Sequence, residues 1–257
     1  MLLARAALMW TLFPALAAAE VAHEGQLISL TPGDVACYAD IEVDGELRNE
    51  MADFSICEQG EAWLGQPVLY AWTEAQVLAA DCQGDMDCGR SDTVTLIDRM
   101  MRKPGAPACA AEEETVFACT LGGKRVAVCA AADAAATGGW LQYRYGRAGQ
   151  APEMLAPALP VDPAHAAEGR VESYAGGGAS WLRFRQGDHA YVVYTGVGRW
   201  GENGATREQS GIVVEREGEA IADLRCSGPV RSLLGPEWFE RVGVSADEDA
   251  EFEIPVD

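Results

Sequence analysis

The stretch DCQGDMDCGR, residues 81–90, packs two cysteines and three aspartates into ten positions. Asp81, Asp85, Asp87 and the nearby Asp92 could offer hard oxygen ligands to calcium. A loop of the EF-hand kind wants a glycine at its sixth position and a glutamate at its end. Counted from Asp85 the sixth position is Arg90, and no glutamate follows within the loop. Catalytic dithiols use C-x-x-C near a helix start, and Cys82 and Cys88 are six apart. The favoured reading is a small surface turn closed by a Cys82–Cys88 bond, with its aspartates solvated and no metal bound.

The chain holds eight cysteines: Cys37, Cys57, Cys82, Cys88, Cys109, Cys119, Cys129 and Cys226. An even count in an oxidising compartment reads as disulfides. Zinc would need close Cys/His pairs, and the three histidines, His23, His165 and His189, are scattered. The expected pairs are Cys37–Cys57, Cys82–Cys88 and Cys119–Cys226, with Cys109–Cys129 left by elimination. If Gly122-Gly123 is a two-residue turn, Cys119 and Cys129 point to opposite faces of their hairpin and cannot bond across it.

GVGRWG, residues 196–201, matches G-x-G-x-x-G letter for letter. A dinucleotide cradle needs a helix N-terminus directly behind the glycines. ENGATREQSG follows and has no helical pattern, so a β–β loop is the plainer account. No serine or cysteine sits in a G-x-S-x-G setting. Carboxylates are abundant, but nothing selects a pair for glycoside hydrolysis. The most suggestive chemistry lies in WLQYRYGR and SWLRFR. In the second, parity places Trp181, Arg183 and Arg185 on one face and Leu182 and Phe184 on the other. With Leu182 and Phe184 in the core, the first set should face solvent, where arginine and tryptophan can bind carboxylates, sugars or a protein. Gly176, Gly177 and Gly178, ahead of Ser180, would let a backbone approach closely.

These residues need elements to hold them. VACYADIEV alternates, with Val35, Cys37, Ala39, Ile41 and Val43 on one face, and Asp44-Gly45 reads as a type I′ hairpin turn. MADFSIC, PVLYAW and TVTLIDRM supply further strands, while EAQVLAADC suits either a helical turn or a strand. Five or six short strands predict a small barrel of the OB or SH3 kind over residues 20–104. KPGAP, residues 103–107, is the linker. Hairpins at Gly122-Gly123, Gly187-Asp188 and Gly218 predict an antiparallel meander of about eight strands over 105–244, closing as a barrel or sandwich. Residues 146–169 and 196–210 read as long loops, and PEWFERV as one helical turn. The fold class is therefore all-β. The tail, 245–257, holds six acids and no base, and is expected to be mobile.

MLLARAALMWTLFPALAAAE reads as a secretory signal, residues 1–19, with Arg5 in the n-region and a small-residue cleavage site at Ala17-Ala18-Ala19. Its apolar core is short of the ~20 residues of a spanning helix. With two lysines, Lys103 and Lys124, and many arginines, alanines and glycines, the composition points to a GC-rich bacterium, and export to a periplasmic or secreted location. The formal net charge of −21 repels nucleic acid and anionic lipid.

VACYADIEVDG, MADFSICEQ and DCQGDMDCGRSDTVTLID resemble the N-terminal module of uncharacterised exported bacterial proteins. FACTLGGKRVAVC, YRYG and LRFRQGDHAYVVYTGVG resemble their C-terminal module. The second half also resembles, more distantly, the membrane-bound C-type lysozyme inhibitor family, through Cys119, Phe184, Gly187, Asp188, Ala190 and Cys226. That resemblance implies a small β-barrel and inhibition of a basic enzyme. The reading taken is an exported, disulfide-bonded, non-enzymatic binding protein of the cell envelope without a cofactor. Its partner would be a basic protein or a small envelope ligand, met through Gly176–Gly178, Ser180, Trp181, Arg183 and Arg185. A lysozyme inhibitor is the first alternative and a hydrolase the second.

Overall fold

A computed structural model describes residues 22–255. The expected leader and its cleavage site at Ala19 lie outside them. The protein is all-β, with one closed barrel and two further antiparallel sheets.

The barrel is built from β1 (His23–Pro32), β2 (Cys37–Val43), β3 (Glu46–Ala52), β4 (Pro67–Leu78) and β5 (Ser91–Arg102), in the order β1-β2-β3-β5-β4. β4 returns antiparallel to β1, and β3 meets β5 in parallel at Ala52 and Ile97. This order, with α1 (Phe54–Gln59) between β3 and β4, is that of an OB barrel rather than an SH3 barrel. The turn at Asp44-Gly45 has positive φ at both residues, 54° and 81°, as a type I′ turn requires. Alternation does the rest, since Cys37, Ala39 and Ile41 are fully buried with Leu27, Val68 and Ile97. MADFSIC is only partly a strand. Asp53 accepts a hydrogen bond from Ser55 N at 2.9 Å and caps α1, so the chain leaves β3 into a helix, and Cys57 ties that helix to β2. EAQVL belongs to β4, and ADC, Ala80–Cys82, is a 3-10 turn.

The remaining strands form two five-stranded sheets. One holds β6 (Glu113–Leu121), β7 (Lys124–Ala131), β8 (Leu141–Arg147), β9 (Met154–Val161) and β15 (Ser227–Ser232), in the order β15-β6-β7-β8-β9. The other is the meander β10 (Glu168–Tyr174), β11 (Gly177–Gln186), β12 (His189–Gly198), β13 (Arg207–Arg216) and β14 (Glu219–Arg225). They share one core, in which Phe117, Val128, Leu141 and Tyr143 meet Leu182, Phe184, Val193 and Ile212. The Tyr143 ring lies 5.7 Å from Phe184 and 5.6 Å from Tyr191. α3 (Pro236–Val242) adds Trp238, Phe239 and Val242 to the same core.

These sheets hold ten strands where about eight were expected. The strands that escape a pattern reading are β9, inside the stretch read as a loop, β10, which begins at its end, and β15. All three are sheet edges, and β9 and β15 contain proline, which is tolerated where one side of the strand needs no donor. The hairpins at Gly122, Gly187 and Gly218 form where expected, each with that glycine at positive φ.

Candidate functional site

The four disulfides are Cys37–Cys57, Cys82–Cys88, Cys109–Cys129 and Cys119–Cys226, the pairs expected from the sequence. None crosses the linker. The 81–90 segment is a cross-linked turn. Asp85 accepts a hydrogen bond from Asp87 N at 3.0 Å, and Asp81 pairs with Arg90. These carboxylates are thus engaged in turn geometry. Among the described residues, one cluster has metal-like spacing: Cys109, Glu113 and Cys129. Its sulfurs are bonded to each other, so they are not thiolate ligands, and its carboxylate is held by Arg144.

The arginine–aromatic face keeps its expected parity and loses its expected exposure. Leu182 and Phe184 face the shared core, while Trp181 and Arg183 stand on the opposite face and are themselves buried, at 0% and 6% exposure. The cover is the acidic tail. Phe252 is 7% exposed and sits 5.9 Å from Trp181 and 5.6 Å from Tyr194. Ala246, Ala250 and Ile254 pack beside it. Arg183 Nη2 donates to the Glu251 carbonyl at 2.9 Å. Arg170 Nη1 donates to the Asp247 and Glu248 carbonyls at 3.4 and 3.3 Å. The carboxylates facing Arg183 belong to the sheet, with Glu168 at 3.0 Å and Glu215 at 2.9 Å. The described part of the tail is therefore a strap held by its backbone and its few apolar side chains. Its charges, which made it read as mobile, project away from that contact or stay solvated.

The expected binding loop is also different. Tyr174 pairs with Gly177 across a two-residue turn, so Gly177, Gly178 and Ser180 belong to β11, and Ser180 is buried at 7% exposure. Gly176, at the turn, is exposed, and Arg185 is exposed and pairs with Glu168 at 2.6 Å. The glycines have packing roles. A Cβ on Gly177 would collide with the Val197 carbonyl, and one on Gly196 with Ile254 of the tail. A Cβ on Gly198 would strike the Trp200 ring. GVGRWG thus spans the end of β12 and the connection to β13, and its glycines make room for the strap and for Trp200.

The histidines are apart from one another. His23 packs on Trp72 at 4.2 Å, His165 is exposed beside Asp162, and His189 meets Asp188 Oδ1 at 2.6 Å in a hairpin.

Sequence reasoning missed the cleft where the barrel meets the sheets. Leu69, Ala71 and Met101 of the barrel pack against Leu155 and Leu159 of β9. Gln142 Nε2 donates to the Pro157 carbonyl at 3.1 Å and approaches Met101 Sδ at 3.7 Å. Arg144, 2% exposed, donates to both oxygens of Glu113 at 2.7 and 3.0 Å and to the carbonyl of Ala108, the residue after the linker, at 3.3 Å. Beside this brace opens a hollow of about 380 Å³. Trp63 enters it from the 3-10 turn after α1 and Trp140 from the residue before β8, with Met100 and Met101 in its lining. Gln59, Glu112 and Asp133 supply polar groups, and Arg102 pairs with Glu112 at 2.7 Å across its edge. Two tryptophans 77 positions apart carry no shared motif, and only the junction brings them together.

No family model, curated protein or solved structure matches the chain.

Proposed function

We propose that this is an exported, non-enzymatic binding protein of the bacterial cell envelope, and that it holds a small ligand in the junction cleft. Its four disulfides fit an oxidising compartment. The observation that carries the reading is the pairing of Trp63 and Trp140, from separate parts of the chain, in one hollow with a polar edge. Ligand sites favour junctions of this kind, with apolar and aromatic walls and a few placed polar groups. The arginine–aromatic face supports the same choice by default, since the strap already covers it.

Thermal-shift screening of the mature protein against small envelope components should yield stabilising compounds. Their effect should fall at least tenfold in apparent affinity in Trp140→Ala and in Trp63→Ala. The compounds should be recovered unchanged in mass. Stabilisation that survives both variants would place the site elsewhere, and turnover of the compound would make the protein an enzyme.

A further inference from the structure

We infer that the ligand of the junction cleft is a short, uncharged saccharide, an inference that rests on the cleft being the binding site. The hollow, about 380 Å³, lies at the small end of the roughly 300–1,000 Å³ of ligand pockets. That suits a short saccharide. Two indole side chains line one small hollow, Trp140 with the Arg144 guanidinium 5.7 Å over its ring, and the C–H face of a pyranose is the polar metabolite surface that matches an indole. The edge decides between a sugar and a plain hydrophobe. Gln59 provides both a donor and an acceptor, and Asp133 provides acceptors. A hydrocarbon would desolvate these groups without pairing them, which costs free energy, whereas hydroxyl groups can both donate to Asp133 and accept from Gln59.

Charge then narrows the class. An anionic ligand such as a phosphate or a carboxylate needs an available cation. Arg102 is matched by Glu112 at 2.7 Å, and Arg144 is matched by both oxygens of Glu113. Asp133 is exposed and, among the described residues, makes no ion pair, so the local field disfavours anions. Aromatic rings with a carboxylate also suit an organic cation, and this is the competing class. A saccharide is favoured because the two other carboxylates at the cleft already have guanidinium partners, leaving a single carboxylate against an edge that offers donors as well as acceptors.

The test follows the indole N–H signals of the full mature chain by NMR. The sequence has seven tryptophans, of which Trp10 lies in the expected leader, so Trp63→Phe and Trp140→Phe assign two of the six remaining peaks. N,N′-diacetylchitobiose and maltose are the saccharide probes. Choline and spermidine are the cation probes, and inorganic phosphate is the anion probe. Saturable shifts of both peaks are expected with at least one saccharide. Trp140→Ala and the exposed variant Asp133→Ala should each weaken binding about tenfold or more, with the variants' folding checked by circular dichroism. Saturable shifts with choline or spermidine alone would overturn the saccharide and leave the cleft as a site for amines. Shifts with phosphate alone would overturn the charge argument in the same way. Saccharide binding that leaves both peaks and both variants unaffected would overturn the assignment to this cleft. No shift with any probe would overturn the saccharide and count against the cleft as well.

Discussion

Asp98 lies on β5 between the fully buried Ile97 and Arg99. Its Oδ1 is buried without a hydrogen-bond partner, and Oδ2 accepts from Arg99 Nε at 3.3 Å. Burial, with a smaller contribution from the Asp53 carboxylate, pushes its pKa above the ordinary aspartate value. The folded state therefore holds the Asp98 proton more tightly than the unfolded chain does. Its contribution favours folding below the unfolded value of about 3.9 and turns into a cost as pH rises through the raised folded value. Asp98→Asn should then be more stable than the parent at neutral pH, with the difference closing as pH falls below about 4. Urea unfolding at a series of pH values measures this. An Asn variant less stable at pH 7 would mean that the carboxylate is needed by Arg99 more than it is penalised by burial. At this scale much was legible in the sequence. Parity separated Trp181 and Arg183 from Leu182 and Phe184, and the cysteine spacing separated Cys119 from Cys129. Exposure was not legible, because parity says which face a side chain takes and nothing of what covers that face.

The covering element is the strap. It has few apolar residues among many acids, so it has neither the period of a helix nor that of a strand. Composition then points to disorder. What fixes it is shape on the sheet: Phe252 against Trp181 and Tyr194, Ile254 over the gap at Gly196, and carbonyls facing Arg170 and Arg183. β9 and β15 escaped for a related reason, since an edge strand with prolines lacks the alternating apolar run of a central one. Hairpin strands with a glycine turn and a buried face were legible at Gly45, Gly122, Gly187 and Gly218, whereas the β10–β11 hairpin at Gly176 was read as a loop. The strap can be tested as a unit. Ending the chain after Ser245 should uncover Trp181, shift tryptophan emission to longer wavelength and lower stability. Phe252→Ala alone should cost about 3 kcal/mol, in the range for truncating a buried phenylalanine. A truncated chain with unchanged emission and stability would mean the strap does not cover the sheet in solution.

Across the whole molecule, two bodies that each hold two disulfides are joined without a covalent link beyond the linker itself. The junction must therefore be held by packing, by the Arg102–Glu112 pair and by Gln142 against Met101. Its apolar part is small, with Leu69, Ala71 and Met101 meeting Leu155 and Leu159. The candidate ligand cleft exists only while this contact holds, because its two tryptophans come from opposite sides of it. Neither half of the sequence could announce the cleft, since each half shows only its own strands. Leu159, 2% exposed, is the residue to break. Leu159→Asp would place a carboxylate in an apolar contact without a partner, a change that costs several kcal/mol where the charge cannot escape to water. Opening the junction relieves that cost, so the variant should unfold in two resolved steps while the parent unfolds in one. The sheet that contains β9 should stay folded in the first-separated state, since Cys119–Cys226 and its core are untouched. The same variant should lose ligand-induced stabilisation without any change at Trp63 or Trp140. Calorimetry with and without a stabilising compound reads both effects. A single transition merely shifted to lower temperature, with ligand stabilisation retained, would show that the two bodies are coupled by something other than this contact.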